Sequence, residues 1–155
     1  MARHGDTDSV HLHTFPEAPK EWRNEKLAEK WDKIRTIRRV VTGAMERERN
    51  EKKIGSSLQA HPNVYLKPEA KSILQELDFA EICISSSITL TEQAVPANAF
   101  TISDVSDTGV VVETASGKKC ERCWRVLPEV GGHADHPDLC NRCHDAVLHL
   151  RKEAA

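Results

Sequence analysis

Apolar residues recur at three- and four-residue steps from Leu27 through Trp31, Ile34, Ile37, Val41, Ala44 and Met45. That period is one stripe on a long α-helix. Asn24 supplies its N-cap, and the Gly55-Ser56-Ser57 run ends it. Glu29 with Lys33, and Glu48 with Lys52, add favourable i,i+4 pairs, whereas Gly43 is a weak point. A helix of about 30 residues, roughly 45 Å long, with a single stripe must pack on other helices. No comparable helix accompanies it, so its partners are expected outside this chain and the stripe is open to self-association through Leu27, Trp31, Ile34 and Val41. Ahead of it, Val10 to Phe15 alternates apolar and polar before Pro16 and Pro19. That reads as an extended arm, with His11 and His13 on one side and Phe15 and Trp22 as anchors.

From residue 58 the pattern changes. Val64-Tyr65-Leu66 reads as a short strand after Pro62. Pro68 opens a helix over 69–78 with Ile73, Leu74 and Leu77 inward. Phe79–Ser85 reads as a strand with Ile82 and Ile84 on one face, continued by Ile88–Leu90. Phe100–Val105 is ambiguous, and Gly109–Thr114 is a β-branched strand. Cys83 stands alone and reads as a buried thiol. The fold class is therefore α+β: a long N-terminal helix, a small mixed α/β unit and a C-terminal four-cysteine zinc finger. The segments are 1–57, 58–116 and 117–155.

Composition sharpens this. The 155 residues are 39% hydrophobic, 5% aromatic and 30% charged, which is thin material for a core and makes a metal staple near the end physically sensible. Net charge is −2, but it is unevenly spread. Residues 24–53 hold ten Lys/Arg against six Asp/Glu, and residues 69–116 hold one Lys against eight acids. The helix cations Lys33, Arg35, Arg38, Arg39, Arg47, Arg49, Lys52 and Lys53 are candidate phosphate contacts, or simply a solvated face. No transmembrane run, lipidation signal or leader is present, so a cytoplasmic location without membrane partners is expected.

The chemistry concentrates in Cys120-Glu-Arg-Cys123, sixteen residues, then Cys140-Asn-Arg-Cys143. Two such turns face four thiolates at tetrahedral corners, a set that suits Zn²⁺ at about 2.3 Å. The separation matches zinc sites of this kind. Two disulfides would need an oxidising compartment, a redox dithiol uses one pair, and iron–sulfur cysteines come in tighter runs. His133, His136 and His144 lie close by, but four cysteines already close the site. A closed site is structural, with no position left for substrate. Lys118, Lys119, Arg122, Trp124, Arg125 and Arg142 crowd the ligands and are the candidate RNA contacts, through charge and stacking, with packing of Trp124 against the metal turn as the equal alternative. Gly131-Gly132 crosses between the turns. Asp138 is a candidate N-cap for a helix over Cys140–Leu150, with Val147, Leu148 and Leu150 packing back.

Lys119-Cys-Glu-Arg-Cys-Trp124 with His136-Pro-Asp-Leu-Cys-Asn-Arg-Cys143 resembles the C-terminal zinc module of bacterial isoleucyl-tRNA synthetase. Ser9-Val-His-Leu with Phe15-Pro16, and Glu51-Lys-Lys-Ile-Gly-Ser-Ser-Leu58, look like the flanks of the last helix of that family's anticodon-binding bundle. The resemblance implies that residues 1–57 are a linker arm and the end of that bundle, and that Cys120, Cys123, Cys140 and Cys143 bind one structural Zn²⁺. It implies tRNA(Ile) and the remaining parts of the same enzyme as partners. The family's ATP-dependent ligase signatures of the HIGH and KMSKS type are absent from these residues, so no catalytic site and no ATP site are expected here. Two other functions compete: an interaction module in which zinc only folds the terminus, and a DNA-glycosylase-type finger. The latter family's N-terminal proline nucleophile is missing from Met1-Ala2-Arg3.

Overall fold

The computed structural model describes residues 16–153. The arm over Val10–Phe15, with His11, His13 and Phe15, lies outside the described residues. Trp22, expected as an anchor, sits in a 3-10 turn (Lys20–Trp22) and is 76% exposed.

Helix α1 spans Glu25–Asn50. The Asn24 side chain accepts the Leu27 N–H at 3.0 Å, so the cap lies where the sequence puts it. The helix ends earlier than Gly55 because Lys52 takes a left-handed conformation, φ +59°. The Lys52 N–H then bonds Arg49 O at 2.9 Å and the Lys53 N–H bonds Glu48 O at 3.0 Å. Those two bonds are the Schellman stop. Glycine normally occupies this position, and its absence hid the boundary. The conformation costs an L-residue about 1–2 kcal/mol, offset for glycine by about 0.5–1 kcal/mol of chain entropy. Lys52→Gly is therefore expected to raise stability by about 0.5–1 kcal/mol in urea denaturation; an unchanged or lowered midpoint would show that Lys52 is not strained.

A four-stranded sheet forms the second layer, in the order β2-β1-β4-β3. Strand β1 (Ala60–Tyr65) runs parallel to β2 (Thr89–Thr91) and antiparallel to β4 (Val105–Thr114), which pairs antiparallel with β3 (Phe100–Ile102). Strand β1 begins before Pro62, not after it. Pairing with β2 starts only at Asn63, so the missing N–H at Pro62 costs no ladder bond on that side. Helices α2 (Pro68–Leu74) and α3 (Phe79–Cys83) carry the crossover from β1 to β2. Helix α2 stops four residues short of the expected 78.

The segment read as a strand, Phe79–Ser85, is helix α3. Asp78 caps it by accepting the Glu81 N–H at 2.9 Å. Phe79, Ala80 and Cys83 are buried at helical spacing, and the Arg38 Nε of α1 donates to Ile82 O at 2.8 Å. Ile84 does not share a sheet face with Ile82; it terminates α3 in the left-handed region, φ +57°, and is 55% exposed. Strand β2 is separate and does not continue it.

The stripe of α1 finds its partner within the chain. Ile34, Ile37, Val40, Val41, Ala44 and Met45 share one core with Ala60 and Val64 of β1, Leu66 just beyond it, Val110 of β4, and Leu74, Phe79 and Cys83. Ile34 and Val41, expected on an open stripe, are therefore covered by the chain's own sheet; of the four named for self-association only Leu27 and Trp31 remain exposed. Gly43 has a reason as well. A Cβ there would stand 2.9 Å from the Phe100 ring, so the glycine admits that ring against α1. Burial drives the lone thiol Cys83 up to about 12, which makes it inert packing as the sequence suggests.

Candidate metal centre

Ala115 ends the sheet unit by donating its N–H to Gln59 O at 2.8 Å, and Gly117 turns the chain away at φ +113°. A Cβ at Gly117 would lie 2.2 Å from the Leu127 carbonyl carbon, so only glycine fits. Strands β5 (Lys118–Lys119) and β6 (Val126–Leu127) then pair antiparallel and hold the first cysteine turn between them. Within it the Cys120 N–H bonds Arg125 O at 2.9 Å and the Trp124 N–H bonds Cys120 O at 2.8 Å. The second turn is tied on by the Glu121 N–H to Asp138 O, 3.0 Å. Helix α4 (Asn141–Glu153) starts directly after Cys140, which places Cys143 in its first turn. The helix dipole favours a thiolate there.

The four Sγ atoms lie within 4.8 Å of one another, and Cys123 Sγ stands 3.8 Å from Cys140 Sγ. A tetrahedron with metal–sulfur bonds of about 2.3 Å has edges of about 3.8 Å. Cys120, Cys140 and Cys143 are buried and Cys123 is partly so. The site fits one structural Zn²⁺. The Cys140 N–H points at Cys120 Sγ from 3.4 Å. Burial alone would raise the Cys120 thiol, but N–H groups of Cys123, Cys140 and Arg122 outweigh it and bring the thiol down to about 6. Burial pushes Cys140 up to about 12. Four thiols so crowded do not ionise together unaided; a dication supplies the charge that lets them.

The histidines contribute no ligand to this cluster. His136 Nδ1 and His144 Nδ1 share a hydrogen bond at 3.0 Å, and the His133 ring stacks on His144 with centroids 3.8 Å apart. His133 Nε2 meets Asn141 Oδ1 at 2.8 Å. The trio braces the crossing between the turns to the start of α4. Asp138 does not cap α4, since it lies three residues ahead of Asn141 and uses its carbonyl to tie the turns. Leu148 and Leu150 do not pack back; they are 38% and 60% exposed.

The basic residues divide by what they touch. Arg125 is turned inward: its Nε and Nη2 donate to Ser86 O at 3.1 and 2.6 Å. Ser86 is fully buried; its Oγ donates to Leu58 O at 2.5 Å and accepts the Val126 N–H at 2.6 Å. This serine fastens the metal module to the sheet unit. Nothing local in the Ser85-Ser86-Ser87 run marks the middle serine. Arg122 Nη1 donates to Cys143 Sγ at 3.6 Å. Arg142 reaches Glu81 Oε1 of α3 at 3.4 Å and lines a cavity shared with Cys123, Arg125 and Ile84. Lys118 and Lys119 are exposed on β5, and Lys119 Nζ lies 5.2 Å from the centroid of the Trp124 ring. Trp124 is 60% exposed and held at φ +66°. On α1 the cations are less free: Arg35 bridges Asp32, Arg39 bridges Asp104 and Arg49 bridges Glu46, and just past its end Lys53 bridges Glu48 and Glu51.

Residues 117–146 match a family model described as a zinc finger found in FPG and IleRS. Over 152 residues the chain is 46% identical to an isoleucine–tRNA ligase of Bartonella henselae, covering 97% of this chain and 16% of that relative. It is 47% identical over the same share to one from Brucella abortus biovar 1, and 46% identical over 156 residues to one from Mesorhizobium japonicum. The likeness to isoleucyl-tRNA synthetase drawn from the sequence thus extends over nearly the whole chain, while the chain spans only 16% of the length of these relatives. No helix among the described residues is long and apolar enough to cross a membrane.

Proposed function

We propose, with that likeness as premise, that this chain is a non-catalytic, tRNA-binding portion of a cytoplasmic isoleucine–tRNA ligase. Its partners on this reading are tRNA(Ile) and the catalytic and anticodon-binding parts of the same enzyme. Zinc freezes the two cysteine turns and so fixes a small surface of Trp124, Lys118, Lys119, Arg122 and Arg142 beside the last ligands. The observation that carries the reading is Trp124. A large apolar ring stands exposed, in a backbone conformation that costs an L-residue about 1–2 kcal/mol, directly behind a metal ligand and beside an ammonium. Strain at an exposed aromatic is consistent with a presented stacking platform. RNA loops are read by such stacking on splayed-out bases.

Contacts to phosphate fall to Lys118 and Lys119 rather than to α1, whose cations largely have carboxylate partners. Base stacking is worth about 1–3 kcal/mol, so Trp124→Ala should weaken tRNA(Ile) binding roughly 5- to 150-fold. Lys118→Ala and Lys119→Ala should each flatten the salt dependence by about one unit of slope. Measured by fluorescence anisotropy from low to high salt, unchanged affinity and slope in all three variants would overturn the RNA-facing role.

A second reading has its own support. Arg125 is committed to Ser86, and Arg122 to a sulfur, so part of the cationic cluster serves the fold. In that reading the module is an interaction element without RNA contact, and the same titration decides between the two. The glycosylase-type alternative rests on residues 117–146 alone, whereas the ligase likeness covers 97% of the chain.

A further inference from the structure

Both cysteine turns read Cys-Xaa-Arg-Cys, with an arginine immediately before the second ligand. The two arginines do not fold back on their own turns. Arg122, from the first turn, donates to Cys143 Sγ of the second at 3.6 Å. Arg142, from the second turn, donates from its Nη1 to Glu81 Oε1 of α3 at 3.4 Å and borders the same cavity as Cys123 of the first. Each arginine thus reaches toward the opposite turn, Arg122 onto the Cys143 sulfur and Arg142 into the cavity that Cys123 lines. Cys120 is served differently, by the Cys140 N–H at 3.4 Å.

We propose that Arg122 and Arg142 are paired positioning residues that cap the metal centre and set how tightly it holds its metal. Four thiolates on one divalent cation leave a net charge of about −2 in a largely buried site, and buried charge is costly unless it is paired and hydrogen-bonded. Two guanidinium groups supply that compensation, Arg122 at the Cys143 sulfur and Arg142 from the cavity that Cys123 lines. The fork of Arg122 also ties the two turns together, since it spans from its own turn to the Cys143 sulfur of the other. Partners of this kind outside the ligand set typically change metal affinity about 10–100-fold. The inference concerns the metal alone and stands whether or not RNA touches the module.

The test is zinc affinity of the full chain, measured by competition with a chromophoric chelator for Arg122→Ala, Arg142→Ala, Arg122→Lys and Arg142→Lys. Circular dichroism at saturating zinc confirms that each variant folds. Each alanine variant should lose roughly 10–100-fold in affinity, and each lysine variant should recover most of it at low salt. That recovery should fade in high salt, where a charge effect is screened. Lys67→Ala removes the same charge from a residue that bridges Asp107 and should leave affinity unchanged. Affinities within twofold of the parent for both alanine variants would overturn the proposal. So would lysine variants no better than alanine, because the loss would then come from packing and not from charge.

Discussion

Removing the metal is expected to unfold residues 117–150 while leaving most of the helical signal of α1 in place. The reason is how little else holds the module. Its buried residues are Cys120, Val130, Cys140 and Cys143, with Cys123, Leu127 and Leu139 packed against them. Three of those four belong to the four-cysteine cluster, so the core of this segment is the candidate metal centre itself. Structural zinc typically contributes about 10–16 kcal/mol of apparent binding free energy to such modules, far more than one valine can. The other core contains none of the four ligands: it joins α1 to the sheet through Ile34, Val41, Val64, Val110, Leu74 and Phe79. Chelation should therefore expose the bonds after Gly117 to protease and spare those before Ala115. Cys140→Ala should do the same without a chelator. An unchanged circular dichroism spectrum and cleavage pattern after confirmed metal loss would refute this division.

Ser86→Ala should be the most damaging single hydroxyl deletion in the chain. It strands the Val126 N–H and the Leu58 carbonyl in a buried site, and each such loss costs about 1–3 kcal/mol. A total of about 2–6 kcal/mol is expected, with faster amide exchange at Val126. Ser85→Ala, whose hydroxyl serves only Ala80 O and Ser87 O within its own turn, should cost less. Equal effects for the two serines, or a loss below about 0.5 kcal/mol for Ser86→Ala, would mean that the hydroxyl does not join the two parts.

These two residues also mark where the sequence is and is not readable. The cysteine pairs announce a metal because ligand chemistry lives in residue type and spacing, both visible in one dimension. Asn24 and the Gly109–Thr114 run are legible for the same reason: a cap and a β-branched strand are local. Phe79–Ser85 is not, because seven mostly apolar residues satisfy a two-residue and a four-residue period equally. The Asp78 cap decides for helix, and its signal is a single side chain. The end of α1 was obscured by a lysine in a place where glycine is usual. The partner of α1 was obscured more deeply, since an apolar stripe states that something covers it but not whether that is a helix or a sheet. Among the candidate RNA contacts, sequence supplies charge but not direction. Only the fold distinguishes Arg125, turned to a buried carbonyl, from Lys118 and Lys119, which face solvent.

The measurement that bears most directly on the whole account is a zinc titration of the metal-free chain, with folding and tRNA(Ile) affinity followed together. Both signals should rise in parallel and break at one zinc per chain. Full tRNA affinity in the metal-free chain, or a folded module whose tRNA affinity does not change on going from no zinc to one, would contradict it.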